Sequence, residues 1–226
     1  MSNSDLLLRA FPASLVAAAA VAFDPLAEAQ TFSGSDSVFA PGTWSVSVKG
    51  TNPAQTGSGE QTVNGYAPGV NAWTSSVSPN GTADTWTISI FEGFAYNPSA
   101  NPGEPASVTV SFDSRWITTA FSRVGPAMRQ GSTVWAGYHD LNSTTWATYS
   151  YSGWSTLING ASALGPDFSA GAAPIFFGFY QRNGNGGLKQ SEFANFAVSV
   201  VVPSPAAVSI LLAFTAPGPS RRRRMA

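Results

Sequence analysis

The chain has 226 residues, of which only 10% are charged and none is cysteine. The lack of cysteine excludes structural disulfides, thiolate catalysis and cysteine-based zinc or iron–sulfur sites. Six basic residues stand against nine acidic ones between Gln30 and Ser220, and this balance argues against nucleic-acid binding by that region.

The first 29 residues have the pattern of a secretory signal peptide. Arg9 supplies a positive charge, residues 10–23 are apolar, and the Ala27-Glu28-Ala29 segment places small residues at both positions of a cleavage site before Gln30. A buried helix or an uncleaved anchor is the alternative, but an apolar run of about 14 residues is shorter than the ~20 that span a membrane. We therefore expect export through the secretion translocon, with cleavage after Ala29.

Residues 30–201 show alternation of apolar and polar side chains and no sustained helical period. Gly, Pro, Ser and Asn punctuate the alternating segments, as in proteins with many short strands and turns. We predict strands over residues 43–48, 70–77, 84–92, 106–116, 132–139, 144–151, 174–181 and 192–201.

Three of these strands have informative faces. In the third, Trp86, Ile88 and Ile90 form the face expected to be buried, opposite the wet face of Thr85, Thr87 and Ser89. In the fourth, an apolar face opposes a polar one. The apolar residues are Val108, Val110, Phe112 and Trp116, and the polar ones are Thr109, Ser111, Asp113 and Arg115. Residues 174–181 are apolar on both faces, which predicts a central strand.

Eight or nine strands in this length predict an all-β fold, an antiparallel two-sheet sandwich. We expect residues 30–201 to fold as this domain without residues 1–29 and 202–226. The segment from Gly178 to Val201, with Phe193-Ala194-Asn195-Phe196 at its centre, resembles the closing hairpin of concanavalin-like and laminin-G-like jelly rolls. The resemblance implies a final strand that lies beside the first strand.

Catalytic residue patterns are scarce. Laminarinase-like enzymes of the jelly-roll class carry a closely spaced Glu-x-Asp-x-x-Glu run, which the sequence lacks. Glycosidase chemistry would need two carboxylates in one cleft, and the only contributors would be Glu92, Asp113, Asp140 and Glu192. We expect Asp113 to form an exposed ion pair with Arg115 instead.

A cofactor is not expected either. His139, beside Asp140, is the only histidine, so it cannot be part of a multi-histidine metal site. Oxygen ligands of the kind that calcium prefers occur at Asp140, Asp167 and the loop around Asn183 and Asn185, but their spacing matches no calcium loop.

Aromatic residues concentrate within about 20 positions and supply the strongest binding signal, because sugar rings stack on exposed aromatic faces. Burial in the core is the alternative for some of them, since Tyr149 and Tyr151 share a strand face that Trp146 does not. The predicted glycan-binding residues are Trp135, Tyr138, Trp146, Tyr149, Tyr151 and Trp154.

The last 25 residues resemble the PEP-CTERM sorting signal of Gram-negative bacteria. Val202, Pro203, Ser204 and Pro205 match its short proline motif, with serine in place of the glutamate, and residues 206–216 match its hydrophobic segment. The basic cluster is Arg221, Arg222, Arg223 and Arg224. A tail that ends in arginines by chance is the alternative.

The resemblance implies a short hydrophobic helix in the inner membrane, recognition by an exosortase-type enzyme, and cleavage near Pro203 to Pro205. The four arginines would stay in the cytoplasm, because each costs roughly 3 kcal/mol at mid-bilayer. Members of this group reach the cell surface or the extracellular polysaccharide matrix after transient membrane association.

Three functions follow from these patterns. The first is an exported, non-catalytic surface or matrix protein. The second is a carbohydrate-binding module that uses exposed aromatic residues. The third, a glycoside hydrolase on a laminarinase-like scaffold, has the least support because acidic residues are so few.

Overall fold

The computed structural model describes residues 29–50, 54–79, 84–101, 105–118, 122–137, 140–152, 156–157, 165–184 and 186–203. Thirteen β-strands and no helix occur among these residues. In chain order the strands are β1 (Gln30–Asp36), β2 (Trp44–Gly50), β3 (Thr56–Ala67), β4 (Val70–Ser78), β5 (Thr85–Tyr96), β6 (Ser107–Trp116), β7 (Arg123–Gln130), β8 (Thr133–Ala136), β9 (Asp140–Leu141), β10 (Ala147–Ser152), β11 (Thr156–Leu157), β12 (Ile175–Asn183) and β13 (Lys189–Val202).

The strands form two antiparallel sheets packed face to face, so the predicted sandwich is confirmed. Sheet A has the order β10-β6-β13-β4-β3, and β1 pairs with the C-terminal half of β13. Sheet B has the order β11-β8-β7-β12-β5-β2, with β9 beside β7. The last strand lies beside the first, as the jelly-roll resemblance implies.

Aromatic side chains from both sheets fill the space between them. Phe179 of sheet B stacks on Phe193 of sheet A, with ring centroids 4.0 Å apart and an interplanar angle of 10°. Trp44 contacts Trp73 at 5.7 Å and Phe196 at 5.1 Å. Aromatic side chains bury large apolar areas, so this layer carries most of the packing energy between the sheets.

The inward and outward faces of β6 follow the prediction. Val108, Val110 and Phe112 are buried between the sheets, and Asp113 and Arg115 belong to the opposite face. The observed alternation along β6 matches the predicted one, so the polar residues of β6 lie on the outward face of sheet A.

The prediction for β5 is wrong about its wet face. Thr85, Thr87 and Ser89 are fully buried, and the indole N–H of Trp73 donates to the Ser89 hydroxyl at 2.9 Å across the sandwich. Hydrogen bonds of this kind make burial of a polar strand face tolerable. The opposite face, with Ile88, belongs to a second apolar cluster on the outward side of sheet B.

Strand β12 is central in sheet B, as predicted, between β5 and β7. It does not form a hairpin with β13, because the two strands belong to different sheets. The segment after Asn183 therefore crosses from one sheet to the other, which corrects the closing-hairpin prediction.

A β-bulge in β13 sets the direction of its aromatic residues. The register of β13 on β6 shifts between Ala194 and Ala197, so one extra residue is accommodated. Asn195 takes a φ of 50°, which asparagine tolerates better than most residues. The bulge turns both Phe193 and Phe196 into the core although they are three positions apart.

Five strands escaped prediction: β1, β3, β7 and the two-residue strands β9 and β11. Strand β7 contains Pro126, which ordinarily argues against a central strand. The Pro126 carbonyl accepts a hydrogen bond from Gly137 N at 2.9 Å. Pro126 lies between the residues of β7 that pair with β9 and those that pair with β8, so its missing N–H faces a break in the strand pairing. Glycine and serine in β1 and β3 hide their alternation.

Several predicted features lie outside the described residues. They are residues 1–28, Tyr138, His139, Trp154, Asn185 and residues 204–226, which include Ser204 and Pro205 of the sorting motif and all four terminal arginines. Within the part that is described, no helix has the length and apolar character needed to cross a membrane.

Gly178 in the middle of β12 provides a test of the packing between strands. A Cβ at this position would collide with the carbonyl oxygen of Ser89 on the neighbouring strand. We expect Gly178→Ala to lower the free energy of unfolding by about 3 kcal/mol, measured by chemical denaturation. The control is Gly165→Ala, where a Cβ meets nothing within 4 Å, and it should change stability by less than about 0.5 kcal/mol. Equal stability of the two variants would contradict the close approach.

Candidate functional site

The outward face of sheet A carries a group of partly exposed aromatic, charged and polar side chains that contact one another. We call it the sheet A cluster. Its members are Tyr66, Asp113, Arg115, Trp146, Thr148, Glu192 and Asn195.

Strand register brings these residues together from distant parts of the chain. Arg115 of β6 lies opposite Glu192 of β13, and Asp113 lies opposite Thr148 of β10. Trp146 directly precedes β10 and therefore lies beside Arg115. A backbone hydrogen bond between Trp116 N and the carbonyl of Ser143 holds this approach to β10 in place.

Arg115 occupies the centre of the charged part of the cluster. Its Nε donates to Glu192 Oε2 at 2.7 Å, and Nη2 lies 2.6 Å from the same oxygen. The guanidinium carbon is 4.8 Å from the centre of the Trp146 ring, which is a cation–π distance. One arginine thus joins the buried carboxylate of Glu192 to a partly exposed indole.

Tyr66 lies near the end of β3, close to the turn that leads to β4. Asn64, two residues earlier in β3, has a φ of 56° and accepts a hydrogen bond from Gly69 N at 2.7 Å, which braces the irregular end of the strand. The Tyr66 ring meets the Trp146 ring edge to face, with centroids 4.7 Å apart and an interplanar angle of 65°. The two rings form one aromatic surface.

Asp113 is the hydrogen-bond acceptor at the centre of the polar part. Thr148 Oγ1 donates to one carboxylate oxygen at 2.6 Å, and Asn195 Nδ2 donates to the other at 2.7 Å. Its hydrogen bond and negative charge raise the pKa of Tyr66, so the phenol stays protonated and acts as a donor. Asp113 is 8% exposed, whereas Thr148 and Asn195 are exposed.

A shallow groove of about 380 Å³ lies on the same strands, towards the other end of sheet A. Its lining is uncharged and mostly hydroxyl-bearing: Ser33, Gly34, Ser35, Thr109, Ser111, Ala197, Val198 and Ser199. Ser111 and Asp113 are neighbours on one face of β6, so the groove leads to the cluster.

The outward face of sheet B repeats the combination of arginine, aromatic ring and carboxylate twice. Arg129 pairs with Glu92 at 2.8 Å and lies over Phe176 at 4.7 Å. Arg182 pairs with Asp84 and lies over Trp86 at 5.2 Å. The Ser45 hydroxyl joins the first group, because it accepts from Arg129 Nη1 and donates to Glu92.

The predicted glycan-binding residues separate into surface and core. Of those that the structure describes, Trp146 alone belongs to the sheet A cluster. Trp135 and Tyr151 are buried, and the Tyr151 hydroxyl donates to Val124 O at 3.2 Å. Tyr149 packs on Phe112 from the core side, at a centroid distance of 5.9 Å. Burial therefore removes Trp135 and Tyr151 from the predicted surface, whereas Tyr149 is partly buried. Tyr138 and Trp154 lie outside the described residues.

The four predicted acidic residues divide between the two sheets, with Asp113 and Glu192 together on the outward face of sheet A. Glu92 belongs to the outward face of sheet B, on the opposite side of the sandwich from Asp113 and Glu192. Asp140 lies in β9 of sheet B. The predicted pair of Asp113 with Arg115 is wrong, because Arg115 turns to Glu192 on the adjacent strand.

Two of the side chains considered as oxygen ligands for calcium have hydrogen-bond partners within the protein. Asp167 accepts from Ser169 N at 2.8 Å, and Asn183 donates to Gly187 O at 3.2 Å. No group of three or more metal-ligating side chains occurs in the described parts of the chain.

Sequence reasoning missed Tyr66, Thr148 and the roles of Glu192 and Asn195. Asn195 had a signal, because it separates two core phenylalanines in the jelly-roll-like motif. Tyr66 had none, since its position depends on the register shift within β3 and on contact with Trp146, 80 positions away.

No protein-family model matches the chain, and a search of curated proteins finds no match. Among solved structures, the chain is similar to the family 11 carbohydrate-binding module of Clostridium thermocellum in complex with a β-1,3-1,4-mixed-linked tetrasaccharide. Identity is 12% over 76% of this chain and 96% of the other, with a TM-score of 0.48.

A second similar structure is the CBM22-1 xylan-binding domain from Paenibacillus barcinonensis Xyn10C. It is 7% identical over 76% of this chain and 95% of the other, with a TM-score of 0.43. A third is TmCBM61 in complex with β-1,4-galactotriose, 9% identical over 72% of this chain and 90% of the other, with a TM-score of 0.34.

Replacement of the carboxylate at position 113 tests the electrostatics of the cluster. We expect Asp113→Asn to lower the pKa of Tyr66 towards its ordinary value of about 10, because a neutral amide no longer disfavours the phenolate. Titration of the tyrosinate absorbance, with Tyr66→Phe as the reference that identifies the Tyr66 signal, measures the shift. The raised pKa stabilises the fold below pH ~10, and this contribution is lost as the pH rises through the folded-state pKa. An unchanged Tyr66 titration would contradict the contact.

Proposed function

We propose that the protein is a non-catalytic carbohydrate-binding protein and that its ligand binds to the sheet A cluster. The observation that carries this proposal is the contact between the Tyr66–Trp146 aromatic pair and the hydrogen-bonded Asp113 network on one outward face. Sugars present apolar C–H faces and hydroxyl groups together, and a cluster of this kind offers partners for both.

The rigidity of the cluster supports the proposal. Asp113, Arg115 and Glu192 lie on adjacent strands β6 and β13, with β10 and β4 on either side. Side chains fixed by a sheet and by one another lose little conformational entropy when a ligand binds.

Thr148 and Asn195 add exposed hydrogen-bonding groups. Each donates one hydrogen bond to Asp113, and its remaining donor or acceptor sites can bind a ligand. Their hydroxyl and amide complement the hydroxyl groups of a sugar.

The same contacts argue against glycoside hydrolysis. A general acid or nucleophile needs a carboxyl group that is free to exchange a proton or attack. Asp113 accepts from Thr148 and Asn195, and Glu192 is engaged by Arg115. Binding without catalysis is the function that this geometry supports best.

We also propose that the protein is exported and sorted to the cell surface or the extracellular matrix by an exosortase-type enzyme. Two sequence features motivate this sorting proposal: the signal-peptide pattern before Gln30 and the proline motif at the C-terminal end of the domain. In the sheet, Gln30 pairs with Val202, so the two ends of the domain leave it side by side. The proline motif lies next to the edge of the domain, a position that suits cleavage of the motif without unfolding of the domain. Carbohydrate binding and retention in a polysaccharide matrix are compatible functions.

Removal of the partly exposed Trp146 indole tests the carbohydrate-binding proposal. We expect Trp146→Ala to weaken binding to a polysaccharide retained by the wild-type protein at least tenfold, or about 1.4 kcal/mol, because the stacking surface is lost. A glycan array selects the polysaccharide, and calorimetric titration measures the affinity. The matched control is Trp86→Ala, which removes an indole beneath Arg182 on the opposite sheet and should leave the affinity unchanged. Equal affinities of the Trp146→Ala and wild-type proteins would refute the proposal.

Charge reversal at the C-terminus tests the sorting proposal. A reporter that carries residues 202–226 should be processed near Pro203 to Pro205 in an exosortase-bearing host, as followed by immunoblotting and mass spectrometry. Replacement of Arg221, Arg222, Arg223 and Arg224 by glutamate should block retention and processing, because the positive stop is removed. Persistence of the unprocessed original reporter in that host would refute the proposal.

A further inference from the structure

The outward face of sheet A has a charge distribution that bears on the chemistry of its ligand. Among its described residues, three carboxylates stand against one guanidinium: Glu60, Asp113 and Glu192 against Arg115. Glu60 and Glu192 lie in one row across the sheet, each opposite Thr74 of β4. The face is therefore negative where a ligand would approach it.

The single positive charge on this face is already neutralised. Glu192 is 6% exposed, and its Oε2 receives both Nε and Nη2 of Arg115 at 2.7 and 2.6 Å. The same edge of the guanidinium would bind the carboxylate of a ligand, because two N–H groups fit a carboxylate side by side. Glu192 thus occupies the place that an acidic sugar would need.

The remaining groups of the cluster favour ligand groups that donate hydrogen bonds over ligand groups that only accept them. Asp113 is an acceptor whose negative charge repels a second carboxylate or a sulfate. The neighbouring groove on β1, β6 and β13 has no charged residue in its lining. Hydroxyl groups of a neutral sugar satisfy both surfaces, whereas a uronate would meet Asp113 and Glu60 without a free cation.

We propose that the sheet A cluster is specific for neutral polysaccharides and that Glu192 is the residue that excludes acidic ones by keeping Arg115 occupied. The inference rests on the proposed carbohydrate-binding function and assigns its substrate class. It gives the partly buried ion pair a role in selectivity, in addition to its contribution to packing.

The test compares the affinities of one protein for two classes of probe. Hexasaccharides from neutral glucan, xylan and mannan form the first class, and a hexasaccharide of polygalacturonate forms the second. We expect the full-length wild-type protein to bind its best neutral probe at least tenfold more tightly than the uronate. A wild-type protein that binds the uronate equally or more tightly would overturn the inference, yet carbohydrate binding would stand.

Glu192→Gln tests the role of the residue directly. The amide keeps the size of the side chain but releases the positive charge of Arg115, so the ratio of neutral to uronate affinity should fall at least fivefold. The gain in uronate binding should weaken as salt is added, because it is electrostatic. Glu192→Asp, which retains the carboxylate, should keep the wild-type preference and provides a second variant if Glu192→Gln folds poorly.

The matched control is Glu92→Gln, which breaks the equivalent pair with Arg129 on the outward face of sheet B. It should leave the affinity ratio unchanged. A shift of the ratio by Glu92→Gln as large as that by Glu192→Gln would overturn the inference, because a general change of net charge would then explain both. Loss of neutral binding in Trp146→Ala is the separate criterion for the proposed function, so the two failures are distinguishable.

Discussion

The bulge in β13 is the constraint on which both the core and the surface depend. One extra residue between Ala194 and Ala197 turns Phe193 and Phe196 to the same side, where they pack on Phe179 and Trp44 of the other sheet. The residue between them, Asn195, takes a left-handed conformation and donates to Asp113 on the outward face. A single backbone irregularity therefore links the packing of the sheets to the geometry of the cluster.

The few charged residues of the chain repeat one local arrangement. Three ion pairs each join a carboxylate to an arginine that also lies over an aromatic ring: Arg115 on Trp146, Arg129 on Phe176 and Arg182 on Trp86. Exposed ion pairs contribute little by themselves, but the flat guanidinium also covers apolar surface and restricts the ring. On sheet A this arrangement meets the Asp113 network, and only there does it form part of a surface suited to sugars.

The proposed function depends on an outward sheet face. Strands β6 and β13 hold the charged residues, and the end of β3 and the approach to β10 supply the two aromatic rings. A sheet face presents side chains in fixed rows, which favours recognition of an extended chain of repeating units over a compact ligand. The proposed export to a polysaccharide-rich location would provide such a chain.

The sequence by itself determined the fold class, the two faces of β6 and the central position of β12, because strand alternation and length are local properties. It also indicated aromatic residues as candidate binding groups. Only the tertiary structure decided which faces meet: the hydroxyl face of β5 turned inward because Trp73 and backbone carbonyls satisfy it. Likewise, Arg115 pairs with Glu192 across 77 positions rather than with nearby Asp113. Register between strands distant in sequence fixes such contacts, and no local pattern encodes that register.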